Sequence, residues 1–388
     1  MSEHPLLDDA LSILDDLIAF ETVALTPNLD LVGYCSERLG AVGADIRLTH
    51  SGDGTRANLF ATIGPSGDGG IVLSGHTDVV PVDAGDWSTP PFEAYHRDGR
   101  VYGRGSADMK GFIACVLALA PRFAALSLGR PLHVALTFDE EDGFHGAPIL
   151  LDDLVCHGPR PSAAIIGEPT GMEVVAAHKG CSEYTTTVTG RSGHSSEPGR
   201  AVNAVQYATR FITGLMELGA EMADRAPASS PYEPAPTTMS VGTITGGQAR
   251  CVVADRCSLE WEMRPVQRTD ADHVRTRLAE LEDRLTQEMR LVHPGASIRT
   301  EVVCEVDGLE FDDASPALGL MRSLLGDTPA GVVSYGTEAG LFQAAGIPAV
   351  VWGPGHIGQA HRSDEYVEVD DLGACLAVLA RLGDSLVR

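Results

Sequence analysis

Positive charge is what this chain has least of. Lys and Arg total 28 against 54 Asp and Glu, a formal net charge of −26, and Lys110 and Lys179 are its only lysines. A surface of that sign repels nucleic-acid phosphates and anionic headgroups alike, so no nucleic acid and no membrane is expected as a partner. Long apolar runs are also missing. The longest, Gly111 to Pro121, is about half of the ~20 residues that a bilayer crossing takes. The eight cysteines stand singly with no C-x-x-C pair, which speaks against a disulfide framework and a structural zinc ribbon; most are expected as buried free thiols. The first residues carry acids at Glu3, Asp8, Asp9, Asp15 and Asp16 where an export or organellar signal carries bases. The expected compartment is the cytoplasm.

What is present is a long chain of alternating elements. With 388 residues, against about 150 per domain, two or three domains or one large discontinuous domain are expected. Up to Glu173, helical periods at Leu7–Phe20, Leu29–Leu39 and Met109–Leu126 alternate with β-branched runs at Ala57–Ile63, Gly70–Ser74, His133–Phe138 and Ala163–Ile166. That alternation predicts an α/β fold with a largely parallel sheet flanked by helices. Pro81–Tyr102 is too long for an ordinary connection and is read as a functional loop. After Lys179 the strands Glu183–Thr189, Thr238–Ile244 and Arg256–Met263, the helices Ala201–Leu218 and Asp270–Glu288, and Ser297–Val303 as a fourth strand suggest an inserted α+β unit of ferredoxin-like type. The parallel pattern then resumes with helices at Pro316–Leu325, Glu338–Ala345 and Leu372–Leu382 and strands at Val332–Val333 and Ala349–Trp352.

Chemistry-bearing residues follow several of these strands. In Ile71–Pro81 an apolar run ends in His76 and Asp78, which a period of two places on one side. Such a pair suits a metal-binding imidazole backed by a carboxylate, or a polar strand end satisfied by water. Gly103–Gly111 is a near miss for a dinucleotide fingerprint, because Asp108 stands at the third glycine and would face the pyrophosphate. Asp108 is read either as a helix N-cap or as a carboxylate bridging two cations. In Asp139-Glu140-Glu141-Asp142 the acids are either solvated loop charges or a divided pair, in which one ligates a metal and its neighbour stands free as a base. Glu168 follows another buried strand, and His361 follows the Gly-rich loop Gly353–Gly358. Open α/β sheets place their ligands at strand carboxyl ends, and three carboxylates with two imidazoles gathered there would repel and desolvate badly without cations. The mixed N/O set suits zinc, cobalt or manganese. The competing signatures G-x-S-x-G and H-E-x-x-H are absent.

In order along nearly the whole chain, the segments SGHTDVVP, GRGSADMKG, TFDEED, GEPT, HKG, SGHSSEP, Arg264-Pro265, YGTEAG and AHRSDE resemble the acetylornithine deacetylase and succinyl-diaminopimelate desuccinylase family of cocatalytic zinc aminoacyl hydrolases. The resemblance implies a discontinuous catalytic domain, 1–179 and 304–388, and an inserted lid and dimerisation domain, 180–303. It further implies two zinc (or cobalt) ions per subunit, with His76 and Glu168 on one, Glu141 and His361 on the other, and Asp108 between them. Asp78 would orient His76, and Glu140 would be the general base. His194 would reach the partner subunit's site in a homodimer and steady the oxyanion, and Arg264 would grip a substrate carboxylate. Thr337 and Glu338 would also meet substrate, although Glu338 has a plainer role in capping the helix that it opens. YGTEAGLF and GPGHIGQAHRSDEY resemble the acetylornithine deacetylase branch, which implies hydrolysis of N-acetyl-L-ornithine to acetate and L-ornithine. One departure is Cys251, where the family often has Asn after Gly-Gly. A desuccinylase, a general N-acyl-amino-acid hydrolase, a carboxypeptidase of the same family and a non-catalytic metal-dependent binding protein stand as alternatives.

Overall fold

The computed structural model describes residues 5–387; Glu3 and the ends of the expected catalytic domain, 1–4 and 388, lie outside them. The chain divides into two compact units. One comprises the chain up to Ala177, Leu309–Gly331 and everything from Thr337, and the other comprises His178–Gly308 and Val332–Gly336.

The first unit is built on an eight-stranded sheet in the order Asp45–His50, Ala57–Ile63, Leu132–Thr137, Ile71–His76, Ala163–Ile166, Ala349–Val351, Val175–His178, Gly331–Val333. Leu132–Thr137, Ile71–His76, Ala163–Ile166 and Ala349–Val351 run parallel at its centre, and antiparallel strands flank them. The three longest of these parallel strands are buried at every residue, as continuous apolar runs covered on both faces should be. Helices Pro5–Ala19, Gly111–Ala125 and Val369–Ser385 share one apolar core with this sheet. No described helix is long and apolar enough to cross a membrane.

Some elements differ from the sequence reading. Asp45–His50 and the helix Gly146–His157 were not legible. The first is an edge strand with no fully buried residue, so it lacks the alternation that marks a half-buried strand. Pro81–Tyr102 holds a short helical turn, Ala84–Asp86, and a hairpin, Tyr95–Arg97 with Arg100–Tyr102, to which Tyr366–Glu368 adds a third strand. The helix read from Met109 starts at Gly111, after a separate tight turn over Ser106–Lys110. Asp108 is therefore not its N-cap: Lys110 occupies that position, without a side-chain capping bond.

The second unit follows the order strand Cys181–Thr189, helix Ala204–Arg225, strands Thr238–Gly246 and Arg256–Arg264, helix Arg268–Arg290, strand Ser297–Val306. Its four long strands lie in the order Thr238–Gly246, Arg256–Arg264, Cys181–Thr189, Ser297–Val306, all antiparallel. This is the ferredoxin-like arrangement. Both helices pack on one sheet face around Phe211, Trp261, Leu278 and Leu285. All eight cysteines are free, and only Cys156 and Cys251 are exposed. The two lysines are buried: Lys110 Nζ donates to Phe20 O at 2.8 Å, and Lys179 Nζ to Pro234 O and Pro236 O at 2.6 and 2.7 Å.

Candidate metal centre

Parallel pairing brings the strand ends of the first unit to one edge. His76 lies beside Thr137, and Ser74 beside Ile166, so Glu168, two residues past Ile166, arrives at the level of His76. Gly167 precedes it because a Cβ there would lie 2.1 Å from the Phe112 ring. Asp139, with φ 52°, turns the chain after the strand Leu132–Thr137. Its carboxylate accepts from Leu25 N at 2.8 Å and pairs with Arg56. Glu140 and Glu141 follow this turn.

His76 Nε2 stands 3.0 Å from Asp108 Oδ1 and 3.8 Å from Glu168 Oε1. His361 Nε2 stands 2.9 Å from Glu141 Oε2 and 3.6 Å from Asp108 Oδ2. Two groups of potential metal ligands result: His76, Asp108 and Glu168, and Asp108, Glu141 and His361. Within each the donor atoms lie within 4.8 Å of one another, and Asp108 belongs to both. Asp108, Glu168 and His76 are buried, while the His361 side chain is 55% exposed.

The electrostatics of these residues suit the binding of a cation. Burial, then the Asp108 charge, pushes Glu141 up to about 7 and Glu168 well above the carboxylate range. Burial and the Glu168 charge do the same to Glu140. Burial works against an imidazolium at His76, yet the Asp108 hydrogen bond and the Glu168 charge outweigh it and hold His76 well above its ordinary value. His361 is raised by its hydrogen bond to Glu141. Asp108 is also buried, but the hydrogen bond and charge of His76 hold it low. Glu141 Oε1 and Glu168 Oε1 are buried without a hydrogen-bond partner, an arrangement that a cation would satisfy. One nitrogen and two oxygens per group suit zinc, cobalt or manganese.

The Asp78 carboxylate does not make the closest contact to the His76 ring. The contact to Nδ1 comes from its backbone carbonyl, at 2.9 Å, and the carboxylate oxygen is 3.7 Å away. That carboxylate instead accepts the N–H groups of Glu140 at 3.2 Å and Glu141 at 3.0 Å. Glu365 is a residue that the sequence reading quoted but gave no role. Fully buried, it accepts from Arg104 Nη1 at 2.6 Å and from Gly105 N, Ala107 N and Asp108 N at 2.9 to 3.0 Å. The only signal for it was an acid closing AHRSDE.

Thr337 and Glu338 are buried, and Thr337 Oγ1 accepts from Ala339 N at 3.1 Å. Glu338 makes no capping bond to its helix, which disposes of the plainer role. Its Oε1 has no hydrogen-bond partner, and burial pushes it up to about 7. His194 and Arg264 belong to the second unit. His194 is exposed, with Nδ1 2.7 Å from Ser196 Oγ, and Arg264 Nη2 donates to Glu262 Oε2 at 2.6 Å. Cys251 is exposed, and its carbonyl accepts from Ser195 N at 3.1 Å.

This arrangement has known relatives. Residues 72–384 match the model of peptidase family M20/M25/M40. The chain is 36% identical over 373 residues to an acetylornithine deacetylase of Myxococcus xanthus, covering 95% of each chain. Among solved structures it is similar to the M20 family metallo-carboxypeptidase Sso-CP2 of Sulfolobus solfataricus, with a TM-score of 0.78, 17% identity and 99% of each chain covered. It is also similar to the YXEP protein of Bacillus subtilis, described as a dinuclear metal-binding peptidase of the M20 family, with a TM-score of 0.66, 15% identity and 98% of each chain covered. At such identities the two structures speak for the fold. The sequence matches speak for descent, and with them the chain belongs to peptidase family M20/M25/M40 and is a hydrolase of amide bonds.

Proposed function

We propose that the protein hydrolyses the amide of N-acetyl-L-ornithine to acetate and L-ornithine, a step of arginine biosynthesis, with two zinc or cobalt ions per subunit. The observation that carries the reaction is Asp108, shared between two ligand groups, together with Glu140, a buried carboxylate outside both and next in the chain to the ligand Glu141. The full-length likeness to an acetylornithine deacetylase supports the substrate.

In this reading His76, Glu168 and Asp108 would hold one ion, and Asp108, Glu141 and His361 the other; bound there, such ions would supply Lewis acidity toward the scissile carbonyl and toward water. Glu140 accepts the proton of the attacking water on its carboxylate. As the C–N bond breaks, it delivers that proton to the leaving nitrogen, so that one proton crosses from water to amine. Burial raises the proton affinity of Glu140, which suits a group that must hold a proton between the two transfers. Asp78 fixes His76 through its carbonyl and Glu140 through its carboxylate.

Residues 180–303 serve as the lid and homodimerisation domain, and His194 enters the partner's site to steady the oxyanion. One such donor is typically worth about 3 to 4 kcal/mol. Arg264 takes the substrate carboxylate, and Thr337 also meets substrate. Glu338, with an unpartnered oxygen, takes the ornithine ammonium. The free state of all eight thiols supports a cytoplasmic setting.

The test is a metal-reconstituted assay with N-acetylornithine beside succinyl-diaminopimelate and a panel of N-acyl amino acids and dipeptides. Preference for N-acetylornithine is expected. Faster cleavage of the succinylated substrate, of other acyl amino acids or of C-terminal peptides would reassign the substrate within the family.

A further inference from the structure

One sheet face of the second unit is covered by helices, and the other carries groups that amide hydrolysis leaves unused. In Cys181–Thr189, Tyr184 and Val188 belong to the core beneath the helices, so the period of two turns Cys181 and Glu183 to the opposite face. The neighbouring strand pairs Cys304 with Glu183, after a register shift between Val302 and Cys304. On the other side Met263 belongs to the core, and Arg264, next in the strand, faces the same way as Cys181.

The result is a compact cluster. The Cys181 thiol donates to Glu183 Oε1 at 3.7 Å, and one donor atom from each of Cys181, Glu183 and Cys304 lies within 4.8 Å of the others. Both thiols are buried and Glu183 is half-buried. A Cβ on Gly336 would lie 3.1 Å from Cys181 Cβ and 3.6 Å from Arg264 Nη1, so the guanidinium borders the same space.

We propose that Cys181, Glu183 and Cys304 form a binding site for a thiophilic divalent cation of the zinc and cadmium class, sharing no residue with the hydrolytic centre. Two sulfurs and a carboxylate oxygen are a donor set that such ions take, with one tetrahedral position left for water. Binding releases the two thiol protons to solvent. Two thiolates and a carboxylate on a dication leave one negative charge, in a space that the Arg264 guanidinium borders while it pairs with Glu262. The burial of both sulfurs favours metal over solvent as their partner, and half-buried Glu183 leaves a way in.

The experiment titrates the full-length, metal-depleted protein, kept reduced, with Cd²⁺ while following thiolate-to-cadmium charge-transfer absorption. The hydrolytic centre has no sulfur ligand and is silent in this readout. A saturating band is expected in the wild type and in Glu141→Ala. It should be lost in Cys181→Ser and in Cys304→Ser, and should need higher Cd²⁺ in Glu183→Gln. Zinc-dependent amide hydrolysis by the two Cys variants shows that they fold. No band in the reduced wild type, or a band that survives both Cys substitutions, would overturn the proposal. So would a Cys181–Cys304 disulfide in place of metal uptake.

Discussion

The carboxylate of Asp78 accepts the backbone N–H of Glu141 at 3.0 Å, and its other oxygen accepts that of Glu140 at 3.2 Å. Asp78, two residues past the strand that ends in His76, thus fixes the turn after the strand Leu132–Thr137. Asp78→Ala leaves two buried donors unpaired, each costing about 1 to 3 kcal/mol, and frees both acids to drift. Metal affinity, measured by chelator competition, should fall about 10- to 100-fold, and thermal stability should fall with it. Asp78→Asn keeps one acceptor and should lie between. Unchanged affinity in Asp78→Ala would mean that the turn is held by other contacts.

Glu140 and Glu141 are separated more sharply by substitution than by position. Glu141→Ala should lose metal. Glu140→Ala should keep its metal content and lose about 10²- to 10⁴-fold in kcat, with KM little changed. Activity near wild type in Glu140→Ala would remove it from the proton path.

Strand ends were the legible part of this protein. The runs before His76 and Glu168 are apolar enough to announce buried parallel strands, and their last polar residues stand where such sheets hold ligands. The supporting groups were not legible, because they act through backbone amides at long separation. Glu365 meets the amides of Gly105, Ala107 and Asp108, and no spacing rule connects 365 with 108. Asp139 was hidden for the same reason, since its partners Leu25 and Arg56 lie on other elements. Helix Gly146–His157 has a half-exposed, Pro-containing sequence with a weak apolar stripe, so its period did not stand out.

The pH dependence of the metal-free protein follows from Glu141. Its carboxyl sits at about 7 in the fold against an ordinary 4.5, so between those values the folded chain holds more protons than the unfolded one. Stability then falls as pH rises through that window. His76, raised above its ordinary value, extends the fall in the same direction. A bound divalent ion replaces the protons, so added Zn²⁺ should raise the melting temperature more at about pH 7.5 than at about pH 5. A shift that is equal at the two values would count against the clustered acids as its ligands.

The proposed lid role of His194 has a genetic form of test. Glu140→Ala and His194→Ala subunits are each expected to be inactive. Mixed and allowed to exchange, they should form heterodimers with one intact site and recover part of the wild-type activity. No recovery after verified exchange would place His194 outside the partner's site.

Glu365 offers the strongest test of how the bridging position is built. Its carboxylate is fully buried, faces the Arg104 guanidinium, which is 4% exposed, and accepts from the amides of Gly105, Ala107 and Asp108. Glu365→Ala strands the buried cation, a loss of about 3 to 5 kcal/mol, and lets Asp108 shift away from both imidazoles. Both metal equivalents should weaken together, because Asp108 belongs to both ligand groups. Arg104→Met combined with Glu365→Leu removes the stranded charge, so it should recover part of the stability without recovering metal affinity. If the double variant bound metal as the wild type does, the amide contacts to Glu365 would not be what holds Asp108 in place.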